Sequence, residues 1–267
     1  MSYEWYLSKV RDYVERADET DYIMPIWLPF IPAILTPMVT AIMAVTTIIF
    51  KRRTYIQGPH TLHMSLYVEE RKVFLVLPWF ISIALIVILS TICVVIGLYV
   101  LYKWIKRRNE HLRRAHRLYE NVVNCIKAKE LKGVDVLRLE DLVREMKDEE
   151  IEERNPILWI VLTLVFPPIV LYIYHFLNKD FHKHERREIR YYTMLSTILK
   201  QRTPEAYIPE FEPRVPDRNT IIYLVLMLVT LGFFGIYWIY TLTRDPNEHF
   251  KEHKKVEKKL VEALEKL

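Results

Sequence analysis

Apolar residues along this chain fall into four long blocks, and nearly all the charges lie between them. The blocks run from Tyr22 to Phe50, Val73 to Tyr102, Pro156 to Leu177 and Thr220 to Leu242, and none contains an Asp, Glu, Lys or Arg. Each reaches or exceeds the roughly 20 residues a helix needs to cross a hydrocarbon core. Membrane β-strands alternate in polarity and seldom run so long without a charge, so a β-barrel does not fit. The pattern predicts an all-α integral membrane protein with four transmembrane helices. The polar segments between blocks stay near fifty residues or fewer, below the usual domain size of about 100–150, so no separate catalytic domain is expected. The first block follows an acidic segment (Glu4 to Asp21) and is too long for a signal-peptide core, so it is expected to remain as a membrane helix.

Breakers sit inside the blocks: Pro37 in the first, Pro167 and Pro168 in the third, Gly232 and Gly235 in the fourth. They are compatible with kinked crossings or with re-entrant hairpins that enter one leaflet and return. The third and fourth blocks hold 22 and 23 residues, which suits one crossing better than two half-crossings, and spanning is the expectation.

An internal correspondence organises the chain. A shift of 138 lays Gly97 to Tyr102 on Gly235 to Tyr240, and Asn109, Glu110 and His111 on Asn247, Glu248 and His249 without a gap. A shift of 131 lays Pro25 and Ile26 on Pro156 and Ile157, and Pro37 on Pro168. The chain therefore reads as two parallel helical-hairpin repeats, each ending in a cytoplasmic helical extension. The boundaries are an N-terminal cytoplasmic segment 1–21, a first repeat 22–130, a connector 131–155 and a second repeat 156–267. Apolar positions three and four apart mark a stripe on each extension: Leu112, Tyr119, Val122 and Ile126 on one, Phe250, Val256, Leu260 and Leu264 on the other. Such a stripe must be buried, so the extensions are expected to pair with each other or with a second copy, and a homo-oligomer follows.

Charge then sets orientation. The chain carries 38 Lys and Arg against 33 Asp and Glu, a net +5. With four crossings, one side receives 3, 14 and 7 cations from the N-terminal segment, 103–155 and 243–267, and the other receives 5 and 9 from 51–72 and 178–219. The richer side is cytoplasmic, which places both termini there in a multi-pass protein of the cell membrane. The 9 cations of 178–219 are an anomaly for an outer segment. The basic run 103–117 adds possible contacts with anionic lipid headgroups, while its balancing acids disfavour nucleic acid.

Candidate chemistry is sparse. Cys93 and Cys125 read as two reduced packing residues. The block interiors offer hydroxyls and no ionisable pair, so a path for a small or weakly polar solute would be lined by Thr36, Pro37, Thr40, Thr163, Pro167 and Pro168. His249 and His253 are four apart on a predicted helix, a spacing that can chelate, and His111 shares the place of His249 in the repeat. With no HExxH or Cys-rich set to complete a site, no metal centre and no cofactor is predicted, and these three are the positions a metal would use. No nucleophile and base occur at matched depth, so the chain is not expected to be an enzyme.

The run from Thr230 to Tyr240, with Thr243, Arg244, Asp245, Asn247 and Glu248 after it, resembles the signature of an uncharacterised family of small integral-membrane domains. The resemblance covers about the last fifty residues; the related half ending at Tyr102 lacks the tryptophan and the Thr-Leu-Gly turn. It implies a paired-helix membrane module and assigns no activity. The expected function is a non-enzymatic membrane scaffold or assembly protein that oligomerises through its extensions. The alternatives are a channel or transporter, and a re-entrant-hairpin protein that shapes membranes.

Overall fold

Helix breakers decide the architecture. The computed structural model describes residues 2–56, 65–131, 133–150 and 153–267, with the side chains of 50, 51 and 53–79 outside that set, so residues 57–64 of the predicted polar connection 51–72, and all its side chains but that of Arg52, lie outside the described residues. The described residues form helices α1 (Tyr3–Glu15), α2 (Ala17–Thr20), α3 (Ile31–Ile56), α4 (Ser65–Ala128), α5 (Val134–Glu150), α6 (Pro156–Val165), α7 (Ile169–Arg202), α8 (Thr220–Val229) and α9 (Phe234–Glu265), and no strand. The all-α expectation is met.

The chain divides into two units. One comprises 27–100, that is α3 and the first part of α4, and the other 1–26 with 101–267. Among the described residues two helices are long and apolar enough to cross a membrane, Leu28–Ile49 and the helix Phe80–Ala128. The apolar side chains of the first, and of the second up to Tyr99, are largely exposed, as lipid-facing surface would be.

The third and fourth predicted crossings are not confirmed. Each is a helical hairpin with a ten-residue first arm, about 15 Å long at 1.5 Å per residue and too short to span roughly 30 Å of hydrocarbon. In the third block Pro167 and Pro168 lack the N–H groups that would continue α6, and α7 restarts at Ile169. In the fourth, Leu231 and Gly232 take positive φ values of 52° and 92° and reverse the chain, a conformation Gly adopts freely and Leu only under strain. The arms fold back antiparallel: Trp159 packs on Tyr172 and Phe176, and Tyr223 packs on Phe234 and Trp238. Asn155 and Asn219 cap the first arms through their side-chain oxygens. At the bases Arg154 pairs with Asp180 at 3.2 Å and Arg218 with Asp245 at 2.7 Å.

The four-crossing topology also fails on contacts. It would put 178–219 across the membrane from 103–155 and 243–267, yet Asp180 binds Arg108 at 2.9 Å, His184 binds Glu150 at 2.6 Å and Arg214 binds Glu252 at 3.2 Å. These three segments share one side.

The remainder of α4, α7 and α9 packs with α1 and α5 around a buried apolar core that includes Leu7, Leu118, Tyr119, Val122, Ile126, Leu139, Leu195, Val256, Leu260 and Leu264. The stripe residues Leu112, Tyr119, Val122, Ile126, Phe250, Val256, Leu260 and Leu264 are all buried within this single chain. Their cover comes from α1, α5 and α7, so the stripes need no second copy. The two asparagines matched by the 138 shift do the same work. Asn247 accepts from Met24 N at 3.1 Å and donates to Met24 O at 2.8 Å, while Asn109 donates to Arg154 O at 2.7 Å. Asn247 clamps main chain at the start of the first apolar block, and Asn109 clamps it just ahead of the third. Pro246 leaves the Leu242 carbonyl without its helical donor, and the Arg107 guanidinium fills the gap at 2.7 Å.

Candidate metal centre

One helical turn beyond the hairpin bases, the inward stripes of α4, α7 and α9 change from apolar to imidazole and carboxylate. His184 lies four residues past Asp180 and His249 four past Asp245, about 6 Å along each helix. Residues four apart share a helix face, so Glu188 stands beside His184 on α7 and His253 beside His249 on α9, while α4 supplies His111. All five side chains are fully buried, and one ligand atom from each lies within 4.8 Å of all the others. Two donors bound at about 2.1 Å on opposite sides of one ion stand about 4.2 Å apart, so this is the scale of a single-ion site.

The orientation of the rings is uniform. Each Nδ1 faces its own carboxylate: His111 meets Asp21 at 3.0 Å, His184 meets Glu150 at 2.6 Å, His249 meets Glu185 at 3.1 Å and His253 meets Glu257 at 2.8 Å. An ionised carboxylate only accepts, so each Nδ1 carries a proton, and in the neutral ring Nε2 keeps its lone pair. All four Nε2 atoms turn to the same point. His111 and His249 bring theirs to 3.2 Å of each other, His249 lies 3.4 Å from Glu188 Oε2, His184 lies 2.6 Å from Glu188 Oε1, and His253 meets the same oxygen.

Two facing lone pairs repel unless a proton or a metal ion sits between them. His184 Nε2 and Glu188 Oε2 are buried without an aligned hydrogen bond, although each has a charged neighbour within salt-bridge distance. Such atoms cost free energy in a protein interior. A histidine donating one nitrogen to a carboxylate and presenting the other to a common centre is the arrangement in which outer carboxylates orient and strengthen metal-bound imidazoles. The donor set of four imidazoles and one carboxylate fits a divalent first-row transition metal.

Electrostatics point the same way. Asp21, Glu150, Glu185, Glu188 and Glu257 face only the guanidinium groups of Arg114 and Arg187 among the ion pairs here, so before any imidazole gains a proton the cluster holds three uncompensated negative charges. Burial opposes charge at these groups, and neighbours decide the result. Against burial, Glu188 and Glu150 push His184 up to about 10, and Glu188 and Glu257 push His253 up to about 9. At His111 burial prevails and holds the ring well below the usual imidazole value despite Asp21. Burial also resists ionisation of Asp21, Glu150 and Glu188, yet the adjoining cations hold all three below the ordinary carboxylate range. Arg114 bridges Asp21 at 2.8 Å and Glu257 at 2.8 Å, tying two of the orienting carboxylates together.

His111, His249 and His253 come together, joined by His184 and Glu188. His182, two residues before His184, turns away and meets Val215 O at 2.8 Å. The available signal was a pair of helical i, i+4 sets, His184 with Glu188 and His249 with His253. The proposed path residues are divided between the two units. Thr36, Pro37 and Thr40 belong to the unit of 27–100 and Thr163, Pro167 and Pro168 to the other. The Thr36, Thr40 and Thr163 hydroxyls donate to carbonyls of their own helices at 2.7, 2.8 and 2.8 Å, the usual habit of threonine in a membrane helix. In the basic run 103–117, Arg107, Arg108 and Arg114 are buried and bonded inward, while Arg113 and Arg117 are exposed.

Residues 218–264 match the model of a domain of unknown function, DUF4234. The match covers the second hairpin and most of α9, His249 and His253 included, and supports an uncharacterised family in the C-terminal region. No curated protein and no solved structure matches the chain.

Proposed function

We propose that this chain is a membrane-anchored, non-enzymatic metalloprotein whose buried single-ion centre fastens α4, α7 and α9 together beside the membrane. The observation that carries this is the convergence of four Nε2 atoms on Glu188 while every Nδ1 is held by a carboxylate. The ligands would be His111, His184, Glu188, His249 and His253. Five protein donors at full burial leave no room for the open position that a hydrolytic metal keeps for water, which favours a holding role. α3 and α4 serve as the membrane spans, making the protein multi-pass, and the metal-bearing unit with both chain ends is assigned to the cytoplasm.

Metal analysis of the purified full chain tests this. After equilibration with Zn²⁺, Co²⁺, Mn²⁺ or anaerobic Fe²⁺ in turn and removal of excess, at least one of these ions is expected at about one per chain. The double variant His111→Ala/His249→Ala should lose it. Substoichiometric content with every ion, or undiminished content in the variant, overturns the reading.

A further inference from the structure

We infer that the two hairpins, α6 with the start of α7 and α8 with the start of α9, insert into one membrane leaflet, the one facing the polar bundle, and return without crossing. The occupant of their exposed apolar surface is lipid acyl chain. This does not depend on the metal centre.

Four observations carry it. The first is depth: ten residues make an arm of about 15 Å, half of a roughly 30 Å hydrocarbon core. The second is the surface of the tips, where Val165 is 79% exposed, Leu231 91% and Phe233 75%, with no polar side chain in the turn 166–168 and Thr230 alone in 230–233. That threonine uses its hydroxyl internally, donating to Leu226 O at 2.7 Å and accepting from Phe234 N at 2.9 Å.

The third observation separates lipid from water. A loop in water leaves N–H groups to the solvent, whereas a segment in hydrocarbon must satisfy them internally. In the first turn Phe166 N bonds Leu162 O, Pro167 and Pro168 have no N–H to satisfy, and Ile169, Val170 and Leu171 bond the carbonyls of Phe166, Pro167 and Pro168. In the second, the N–H groups of Thr230, Leu231, Gly232, Phe233, Gly235 and Ile236 all find carbonyls within the turn or its arms. No backbone donor is left for water at either tip.

The fourth is charge. With two spans and two re-entrant hairpins, 178–219 joins 103–155 and both ends of the chain. All the Lys and Arg except the 5 of 51–72 then lie on one side, 33 of 38. The anomaly of the four-crossing scheme disappears, and the asymmetry becomes the one expected of a cytoplasmic face. The bases are dressed for an interface. Arg218 bonds the Tyr223 hydroxyl at 2.8 Å and Asp245 at 2.7 Å, and Arg154 lies 4.1 Å from the centre of the Phe176 ring.

Site-directed labelling of the full chain in sealed vesicles of defined orientation tests the inference. Single cysteines are placed at Phe166, Leu231, Asp217 and Arg52 in a Cys93→Ala/Cys125→Ala background. Asp217→Cys and Arg52→Cys should react with a membrane-impermeant thiol reagent from opposite sides. Spin labels at Phe166→Cys and Leu231→Cys should be shielded from an aqueous nickel chelate on both sides and accessible to dissolved oxygen. Asp217→Cys reacting on the same side as Arg52→Cys, or either tip reacting from water, overturns the inference. A photo-crosslinking amino acid at Val165 or Phe233, in a chain with its cysteines intact, covers the case of a background that misfolds. Lipid adducts are expected there, and adducts to protein in place of lipid overturn the proposal.

Discussion

Two layers of the bundle, stacked along the same three helices, solve burial in opposite ways. In the membrane-distal layer Leu118, Val122, Leu195, Val256 and Leu260 are buried apolar side chains that pack on one another. In the layer nearer the membrane His111, His184, Glu188, His249 and His253 are equally buried and present lone pairs and negative charge to one point. The apolar layer is complete as it stands, because dispersion and the hydrophobic effect need no added partner. The imidazole layer is complete only with a cation at its centre, because buried charge must be paired. Equal burial therefore marks self-sufficient packing in one layer and, on the proposed function, a binding site in the other, and the chemistry of the inward atoms tells them apart.

Removing a ligand should break the contrast most strongly. Glu188→Gln leaves the volume of the side chain unchanged but discharges the carboxylate on which His184, His249 and His253 converge. Metal affinity is expected to fall by about 10³-fold or more, equivalent to about 4 kcal/mol, with the loss read by metal titration of the purified protein. Retained tight binding would mean that Glu188 is not a ligand.

The apolar layer should respond in a different measurement. Leu195→Ala removes a fully buried side chain and is expected to cost about 2–5 kcal/mol, seen as a lower denaturation midpoint with metal stoichiometry intact. If this variant sheds its metal while still folded, the two layers are not separable.

How much of this the sequence displayed depends on the residue. The apolar blocks and the stripes through Val122 and Leu260 are local patterns, and they emerged as helices with the stripes inward. The hairpins were not legible, because 22 or 23 apolar residues make either one crossing or two half-crossings. Length does not separate those cases; the turn chemistry of Pro167 with Pro168 and of Leu231 with Gly232 does. That ambiguity also hid the metal centre. Reading 156–177 as a crossing put His184 and Glu188 on the far side of the membrane from His111, His249 and His253, so a five-residue set was split in two. The orienting acids Asp21, Glu150, Glu185 and Glu257 come from four separate segments that only tertiary structure assembles.

A subtler change sharpens the contrast by touching only the outer carboxylates. Glu185→Gln leaves all five proposed ligands in place but weakens the acceptor that orients His249. Metal affinity is expected to drop about 10–100-fold while stoichiometry stays at one. An unchanged affinity would remove Glu185 from the account of the site.

The smallest expected effect lies in the pH dependence of the metal-free bundle, and its metal-sensitive part comes from His184 and His253. In the unfolded chain His184 and His253 titrate near the usual value of about 6.5. In the fold, burial works against their protons but Glu188 with Glu150, and Glu188 with Glu257, raise them to about 10 and about 9. The folded state therefore holds protons that the unfolded state has already released. That contribution is fully present below about pH 6.5 and is lost as pH rises through about 9 to 10. Thermal melts in chelator should show a midpoint lower at pH 10 than at pH 7. With metal bound, Nε2 carries the ion instead of a proton, and the alkaline decline should flatten. An identical decline in chelated and metal-loaded protein would mean that proton and ion do not compete for the same nitrogen lone pairs, and would separate the imidazole layer from the site proposed to use it.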